Sequence, residues 1–418
     1  LTAPRAEGER RIAVTGLGAV SAWGWDREGL WSGLLGGGTR VSIPRRFDTL
    51  RQRTRVAGEV PEAPAAVAAG IRDWRRLSQA DRFAVVAARE AIRQARLAEP
   101  AGLGPGDLGV FFGSSTAGML EGEEYYGRAI GALPGRPSLR LLTSHQINGP
   151  GDAVARALGA SGPVHTVSSA CASGALAIGE ALRALRAGEV EIAVAGGADS
   201  LCRLTYSGFN SLRAVDEQPC RPFRAERAGL SLGEGAGVLV LEPWELATAR
   251  GARPLAELAG FGASCDSHHM TAPHPKGAGA AQAMLRALAD AAIAPEAISF
   301  VNAHGTGTPL NDASEWCALE AVFGGRARRL PTTSIKGALG HLLGSAGAIE
   351  AVATVQSLIA GLVPPTAGEG ELDPALAVDL VRGEPRPLSG SPVGISISLA
   401  FGGANAALLL ADGLREAA

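Results

Sequence analysis

Cysteine is scarce and unpaired in this sequence. There are five, Cys171, Cys202, Cys220, Cys265 and Cys317, an odd number with no CxxC spacing. That excludes a disulfide-stapled scaffold, and a chain of 418 residues buries enough core to need no staple. An excess of one charge is missing too. Lys+Arg 39 against Asp+Glu 41 leaves a net charge of −2, which gives no overall basic field for nucleic acid. Charged residues make up 19% and hydrophobic ones 46%, a globular rather than a disordered composition. No apolar run reads as long and uncharged enough to span a bilayer, and the opening LTAPRAEGER carries no apolar signal core. The expectation is a soluble cytoplasmic protein with no membrane partner. What abounds is glycine, 57 residues, roughly twice the average share, which points to tight turns and close backbone approaches.

Residues 1–10 read as a flexible tail ahead of RIAVTGLGAVS, a buried strand followed by a glycine turn. The turn lacks the third glycine of a dinucleotide fingerprint, and no acidic residue follows at the required distance, so no nicotinamide cofactor is expected. Helical and strand patterns then alternate. AVVAAREAIRQARL (84–97) is helical, LGVFFGSS (108–115) and PVHTVSSA are strands, ASGALAIGEALRALRAG is a helix and EIAVAGGADS a strand again. This is the α/β signature of a mixed or parallel sheet covered by helices.

One internal echo stands out. The helix ending at Gly188 recurs as GSAGAIEAVATVQSLIAG, ending at Gly361, an offset of 361 − 188 = 173. At that offset Gly174 falls on Gly347, Leu176 on Ile349, Leu185 on Leu358, and Cys171 on Gly344, three residues after His341. Two related halves follow, with reactive side chains at equivalent helix starts.

Cys171 in VHTVSSACASG is placed where a strand feeds a helix N-terminus. Unpaired N–H groups and the macrodipole there favour a thiolate and a lowered pKa. Its small neighbours leave room for a substrate, and adjacent N–H groups can cradle an oxyanion. A buried core cysteine is the plain alternative, and the other four cysteines are read that way. His304 ends the apolar strand of ISFVNAHGTGTPLND, and Lys336 and His341 lie five residues apart in SIKGALGHLLGSAG. One thiol and two imidazoles gathered at strand ends suit acyl transfer. SHHMTAPHP (267–275) holds three histidines without metal-ligand spacing and is read as a substrate-side loop, with no metal. Phe401, on the glycine turn of SLAFGGANA, is a packing plug or a movable gate.

VSSACASG, NAHGTGTPLND, SIKGALGHLLGSAGAIEA and AFGGANA, in this order and spacing, resemble the β-ketoacyl-acyl carrier protein synthases of the thiolase superfamily, and the KAS II-type condensing enzymes in particular. The resemblance runs from about Arg11 to the end. It implies an α/β, five-layered αβαβα fold of two similar halves, here 11–255 with the cysteine and 256–418 with the histidines and gating loop. It implies a triad of Cys171, His304 and His341, an acyl thioester on Cys171, and decarboxylative condensation with malonyl-acyl carrier protein. Cys171 and Phe401 would supply the oxyanion N–H groups, Phe401 the gate, Lys336 and Glu350 support for the histidines, and Thr306 and Thr308 contacts to the pantetheine arm. No cofactor is implied beyond the phosphopantetheine carried by the acyl carrier protein. That acidic partner needs a basic patch, for which Arg72, Arg75 and Arg76 are candidates against an ordinary solvated helix face. A homodimer, or a heterodimer with a related ketosynthase-like subunit, is implied as well. The family's fatty-acid members usually read NSFGFGG where this chain has SISLAFGG, and carry Thr or Ser where Leu339 stands. These departures lean toward polyketide or polyene ketosynthases. A non-catalytic partner subunit is disfavoured by the intact triad, and a coenzyme A thiolase by the lack of a second cysteine near the C-terminus.

Overall fold

The computed structural model describes residues 10–97 and 108–413, so residues 1–9 of the expected tail lie outside the described residues. Ten strands build the main sheet: β1 (Ile12–Val20), β2 (Leu108–Gly113), β3 (Val164–Val167), β4 (Ile192–Asp199), β5 (Gly235–Pro243), β6 (Ala256–Cys265), β7 (Phe300–Asn302), β8 (Thr332–Thr333), β9 (Val393–Leu399) and β10 (Ala404–Asp412). Their order is β8-β7-β9-β10-β6-β1-β5-β4-β2-β3. From the centre outward, β1-β5-β4-β2-β3 mirrors β6-β10-β9-β7-β8. In each arm the two inner pairings and the next are antiparallel or parallel in the same sequence. Strand pairing between the arms is limited to Ala13↔Glu257 and Val14↔Ala256 among the described residues, so each arm is close to its own five-stranded sheet.

Six helices set the layers. They are α1 (Gln79–Gln94), α2 (Gly149–Leu158), α3 (Ser173–Ala187), α4 (Ala278–Asp290), α5 (Pro309–Phe323) and α6 (Ala346–Ala360). Helices α1 and α2 cover the outer face of the first arm, and α4, backed by α5, covers the second. Helices α3 and α6 touch each other and strands of both arms, forming the middle layer. The result is the five-layered αβαβα thiolase-like architecture.

The strand-then-turn reading of RIAVTGLGAVS needs correction. Ile12 to Val20 is one buried strand. A Cβ on Gly16 would lie 2.0 Å from the Ala91 carbonyl oxygen, and one on Gly18 would lie 1.8 Å from that of Ala87. The glycines are there because α1 presses its backbone onto the strand, not because the chain turns.

The 173-residue echo is a structural one. Helices α3 and α6 are both 15 residues long, begin 173 apart, and end on Gly188 and Gly361 in the left-handed conformation. Their contact is reciprocal. A Cβ on Gly174 would meet Ala348 at 2.9 Å, and one on Gly347 would meet Ala175 at 2.7 Å. Residue i of one helix faces j of the other, and j faces i, which is the mark of a two-fold relation. Gly347→Val is therefore expected to lower stability by at least ~1–3 kcal/mol through overpacking, read as a reduced urea midpoint.

One further expectation changes. Leu343–Ala360 is long and apolar enough, by composition, to cross a membrane. It is nonetheless the middle-layer helix, buried between the two sheets and carrying Glu350 inward. All-round apolarity here reflects a helix with sheets on two sides.

Candidate active site

The two-fold relation brings the ends of α3 and α6 to one crevice. After β3, Ala170 takes a left-handed φ of 45°, Cys171 follows, and α3 begins at Ser173. Such a φ is strained for alanine, and three bonds hold it. The Ala170 carbonyl accepts from Ser115 Oγ at 2.9 Å and Ser173 Oγ at 2.6 Å, while Ser169 N–H donates to Ser173 Oγ at 2.8 Å. At the related position before α6, Leu343 has a φ of 53°. Both halves make the same kinked entry.

His304 leaves β7 through a loop fixed from below. Its N–H and that of Gly305 donate to the two oxygens of Glu315, at 2.7 and 2.8 Å. Gly307 N–H donates to Asp312 at 3.2 Å, and Ser334 Oγ to the Gly305 carbonyl at 2.8 Å. His341 N–H donates to the Ser231 carbonyl at 2.7 Å, and its Nδ1 accepts from Leu343 N–H at 3.1 Å. The Lys336 ammonium is buried, reaching His304 Nδ1 at 3.2 Å and the His304 carbonyl at 2.6 Å, and pairing with Glu350. Glu350 accepts from Ser398 Oγ at 3.4 Å. Because an ammonium and an amide face the two Nδ1 atoms, each neutral ring carries its proton on Nε2.

The rings of His304 and His341 stand 5.3 Å apart and nearly perpendicular. Both line one cavity of about 290 Å³ with Cys171, Thr306, Thr308 and Phe401. Burial and the Lys336 charge drive both imidazoles well below 6.5, so they are neutral donors at pH 7. Burial also lifts the Glu350 carboxyl, against the pull of Lys336. For Cys171 the structure reverses the expected lowering. Burial pushes the thiol up to about 11, opposed by Lys336 and by the Phe401 N–H that points at it. Desolvation outweighs both. Alkylation of Cys171 by iodoacetamide is thus expected to climb roughly tenfold per pH unit from 7 to 10, and a plateau by pH 8 would contradict this.

Phe401 stacks on Phe209, ring centres 5.6 Å apart. Its turn is tied to the 266–275 loop: Gly402 N–H donates to the Met270 carbonyl and Asp266 N–H to that of Gly403. His269, Met270, Thr271, Ala272 and Pro273 line the same cavity, where a substrate-side loop belongs. Thr306 and Thr308 share a hydroxyl contact of 3.0 Å, and Thr308 caps α5. Arg72, Arg75 and Arg76 lie elsewhere. Arg75 and Arg76 border a separate cleft with Arg82, Arg128 and Arg140. Arg72 is 95% exposed and sits beside Asp73. The segment is a short 3-10 turn at Trp74–Arg76 rather than a helix face. Of the cysteines read as structural, Cys202 and Cys220 are buried, whereas Cys265 is exposed.

Asp312, in the first turn of α5, and Glu315, in its second, give no signal in the sequence, because acidic residues near a helix start are ordinary. Their complete burial is not ordinary. Lys336 had a usable signal, being one of only two lysines, with Lys276, among 39 cationic residues.

Residues 9–247 match the β-ketoacyl synthase N-terminal domain, and residues 255–369 match the β-ketoacyl synthase C-terminal domain. The chain belongs to the β-ketoacyl synthase family. As a β-ketoacyl synthase it is a condensing acyltransferase. Among relatives, 3-oxoacyl-[acyl-carrier-protein] synthase 2 of a Synechocystis species is 37% identical over 96% of this chain and 97% of its own. The enzyme of the same name from Staphylococcus aureus is 36% identical over 96% and 98%. Among solved structures, the ishigamide ketosynthase/chain length factor aligns with a TM-score of 0.91 at 34% identity, over 97% of this β-ketoacyl synthase and all of that chain. A type II polyketide ketosynthase, solved with its acyl-carrier protein and bound to the hexaketide, aligns with a TM-score of 0.88 at 29% identity, over 97% and 100%.

Proposed function

We propose that this chain condenses malonyl-acyl carrier protein with an acyl group held as a thioester on Cys171, in fatty-acid or polyketide/polyene chain elongation. The observation that carries it is one thiol and two Nε2–H imidazoles on a single cavity. In the first half-reaction Cys171 Sγ attacks the carrier's acyl thioester. The new C–S bond replaces the old one, and the thiol proton passes to the departing carrier thiol. The Phe401 and Cys171 N–H groups steady the tetrahedral oxyanion. In the second, malonyl-carrier loses carbon dioxide, and its thioester oxygen, now an enolate, takes hydrogen bonds from His304 and His341. The carbanion attacks the acyl carbon, Cys171 leaves as thiolate and takes up one proton, and a β-ketoacyl-carrier two carbons longer departs. Thr306 and Thr308 receive the pantetheine arm at the cavity mouth. The chain itself supplies no cofactor, since the reactive thioester arrives on the carrier.

The cleft that includes Arg75 and Arg76, lined by five arginines against Glu121 and Glu124, supports docking of an acidic carrier. The two sequence halves, 11–255 and 256–418, are taken as the structural units. Strand β3 ends the sheet with Val164 and His165 exposed, an open edge that suits a dimer partner. The likeness to the ketosynthase/chain length factor and the altered gating segment favour a heterodimer with a related subunit as the second reading.

The test is intact mass after incubation with acyl-carrier proteins of varied length and unsaturation. An acyl adduct that maps to Cys171 is expected for at least one chain. No adduct with any chain would sink the proposal.

A further inference from the structure

Asp199 ends β4 beneath the crevice, wholly buried, and none of the chemistry above uses it. Its Oδ1 accepts from Ser114 Oγ at 2.7 Å and from the N–H groups of Thr116 and Ala117 at 2.8 and 3.0 Å. Ser115 N–H lies 3.0 Å from both oxygens, and Oδ2 accepts from Gly344 N–H at 2.7 Å. Four of these partners are backbone N–H groups that can only donate, and their convergence on both oxygens favours the carboxylate, against the complete burial that raises its pKa. The carboxylate is held by the turn 114–117 on one side and by the second half on the other.

Two connections make this anion relevant to the thiol. The turn it holds carries Ser115, whose Oγ grips the strained Ala170 carbonyl one residue before Cys171. Gly344, the other anchor, is the two-fold equivalent of Cys171. A Cβ there would stand 2.7 Å from Asp199 Oδ2. The carboxylate thus occupies, in the second half, the space that a side chain fills in the first. It ties both kinked entries to a single point.

We propose that Asp199 is a positioning residue for the nucleophile, locking the two kinked helix entries in register through Ser115 and Gly344. This rests on Cys171 being the nucleophile. Asp199 is also one of the charges acting on that thiol. Lys336 favours the thiolate, whereas Asp199 and Glu350 oppose it, and His304 and His341 face the same cavity as neutral rings.

The role has an unusual signature. Asp199→Asn keeps the shape, yet its amide nitrogen cannot accept from Gly344 N–H. The lost negative charge moves the iodoacetamide inflection of Cys171 down by about half a pH unit. The same variant transfers the acyl group from carrier to Cys171 at least ~10-fold more slowly. More thiolate with slower acylation is the expected pair, while malonyl decarboxylation changes less than ~3-fold. Ser115→Ala, which leaves the carboxylate in place, is expected to slow acylation without moving the inflection, and it carries the test if Asp199→Asn does not fold. Acylation at the wild-type rate in a folded Asp199→Asn or in Ser115→Ala overturns the proposal. So does an equal fall in both half-reactions. Failure of the underlying reading looks different, since wild-type protein would then carry no adduct on Cys171.

Discussion

Cys171→Ala is expected to form no acyl adduct and to lose condensation by at least ~10⁴-fold, while still decarboxylating malonyl-carrier protein. His304→Ala and His341→Ala are expected to do the reverse. The split follows from how the cavity is built. Cys171 hangs from the entry to α3 and is fixed by Ser115 and Ser173. The imidazoles hang from the β7 loop and the α6 entry, fixed by Glu315, Ser231 and Leu343. The two sets share only the Asp199 anchor, which deletion of Cys171, His304 or His341 does not touch, so deleting one side chain leaves the other in place. Losing one of two donors to an enolate in a dry site costs about 10²–10³ in rate. Both half-reactions can be followed separately, by adduct mass and by release of labelled carbon dioxide. Decarboxylation retained at the wild-type rate in both histidine variants would remove their assigned role.

Lys336→Met is expected to damage stability and chemistry together. The ammonium is buried between His304 and Glu350. Removing one partner of a buried pair costs about 3–5 kcal/mol, since Glu350 is left without its counter-charge. Burial already raises the Glu350 carboxyl, and losing Lys336 raises it further, so the group can escape by taking a proton. A raised folded-state value gives stability at low pH that is lost as pH climbs through that value. The Tm deficit of the variant is therefore expected to widen from pH 5.5 to pH 8. Adding Glu350→Leu should return much of the Tm, because an apolar pair replaces an ionic one at little cost. It should not return decarboxylation, because His304 Nδ1 has lost the donor that keeps its proton on Nε2. A double variant with restored rate would show that the pair acts on stability alone.

The sequence carried the outline of this site for a physical reason. Thiol and imidazole are rare, and each stands where a strand or loop gives way to small residues, so Cys171, His304 and His341 could be picked out individually. The echo that joins them survives in residues that touch, Gly174 and Gly347 against Ala348 and Ala175. What stayed hidden are groups that act through backbone. Glu315, Asp312 and Asp199 are common residues in common places, and only burial and a set of converging N–H groups distinguish them. The helix end beside Cys171 is visible in the residue order, whereas the enclosing walls that raise its thiol are not. The glycines of β1 read as a turn for the same reason, as the α1 backbone they admit lies about 70 residues away (91 − 16 = 75 and 87 − 18 = 69).

The reciprocal glycine contact between α3 and α6 has a mechanical consequence. Where a glycine meets an alanine, no long side chain lies between the helices to yield, and that close packing resists shear between the two halves. The Phe401 turn and the Met270 loop, hydrogen-bonded to each other at the cavity, lie outside that contact. Changes in that pair of loops can therefore reshape the cavity wall without disturbing the helix contact beneath it.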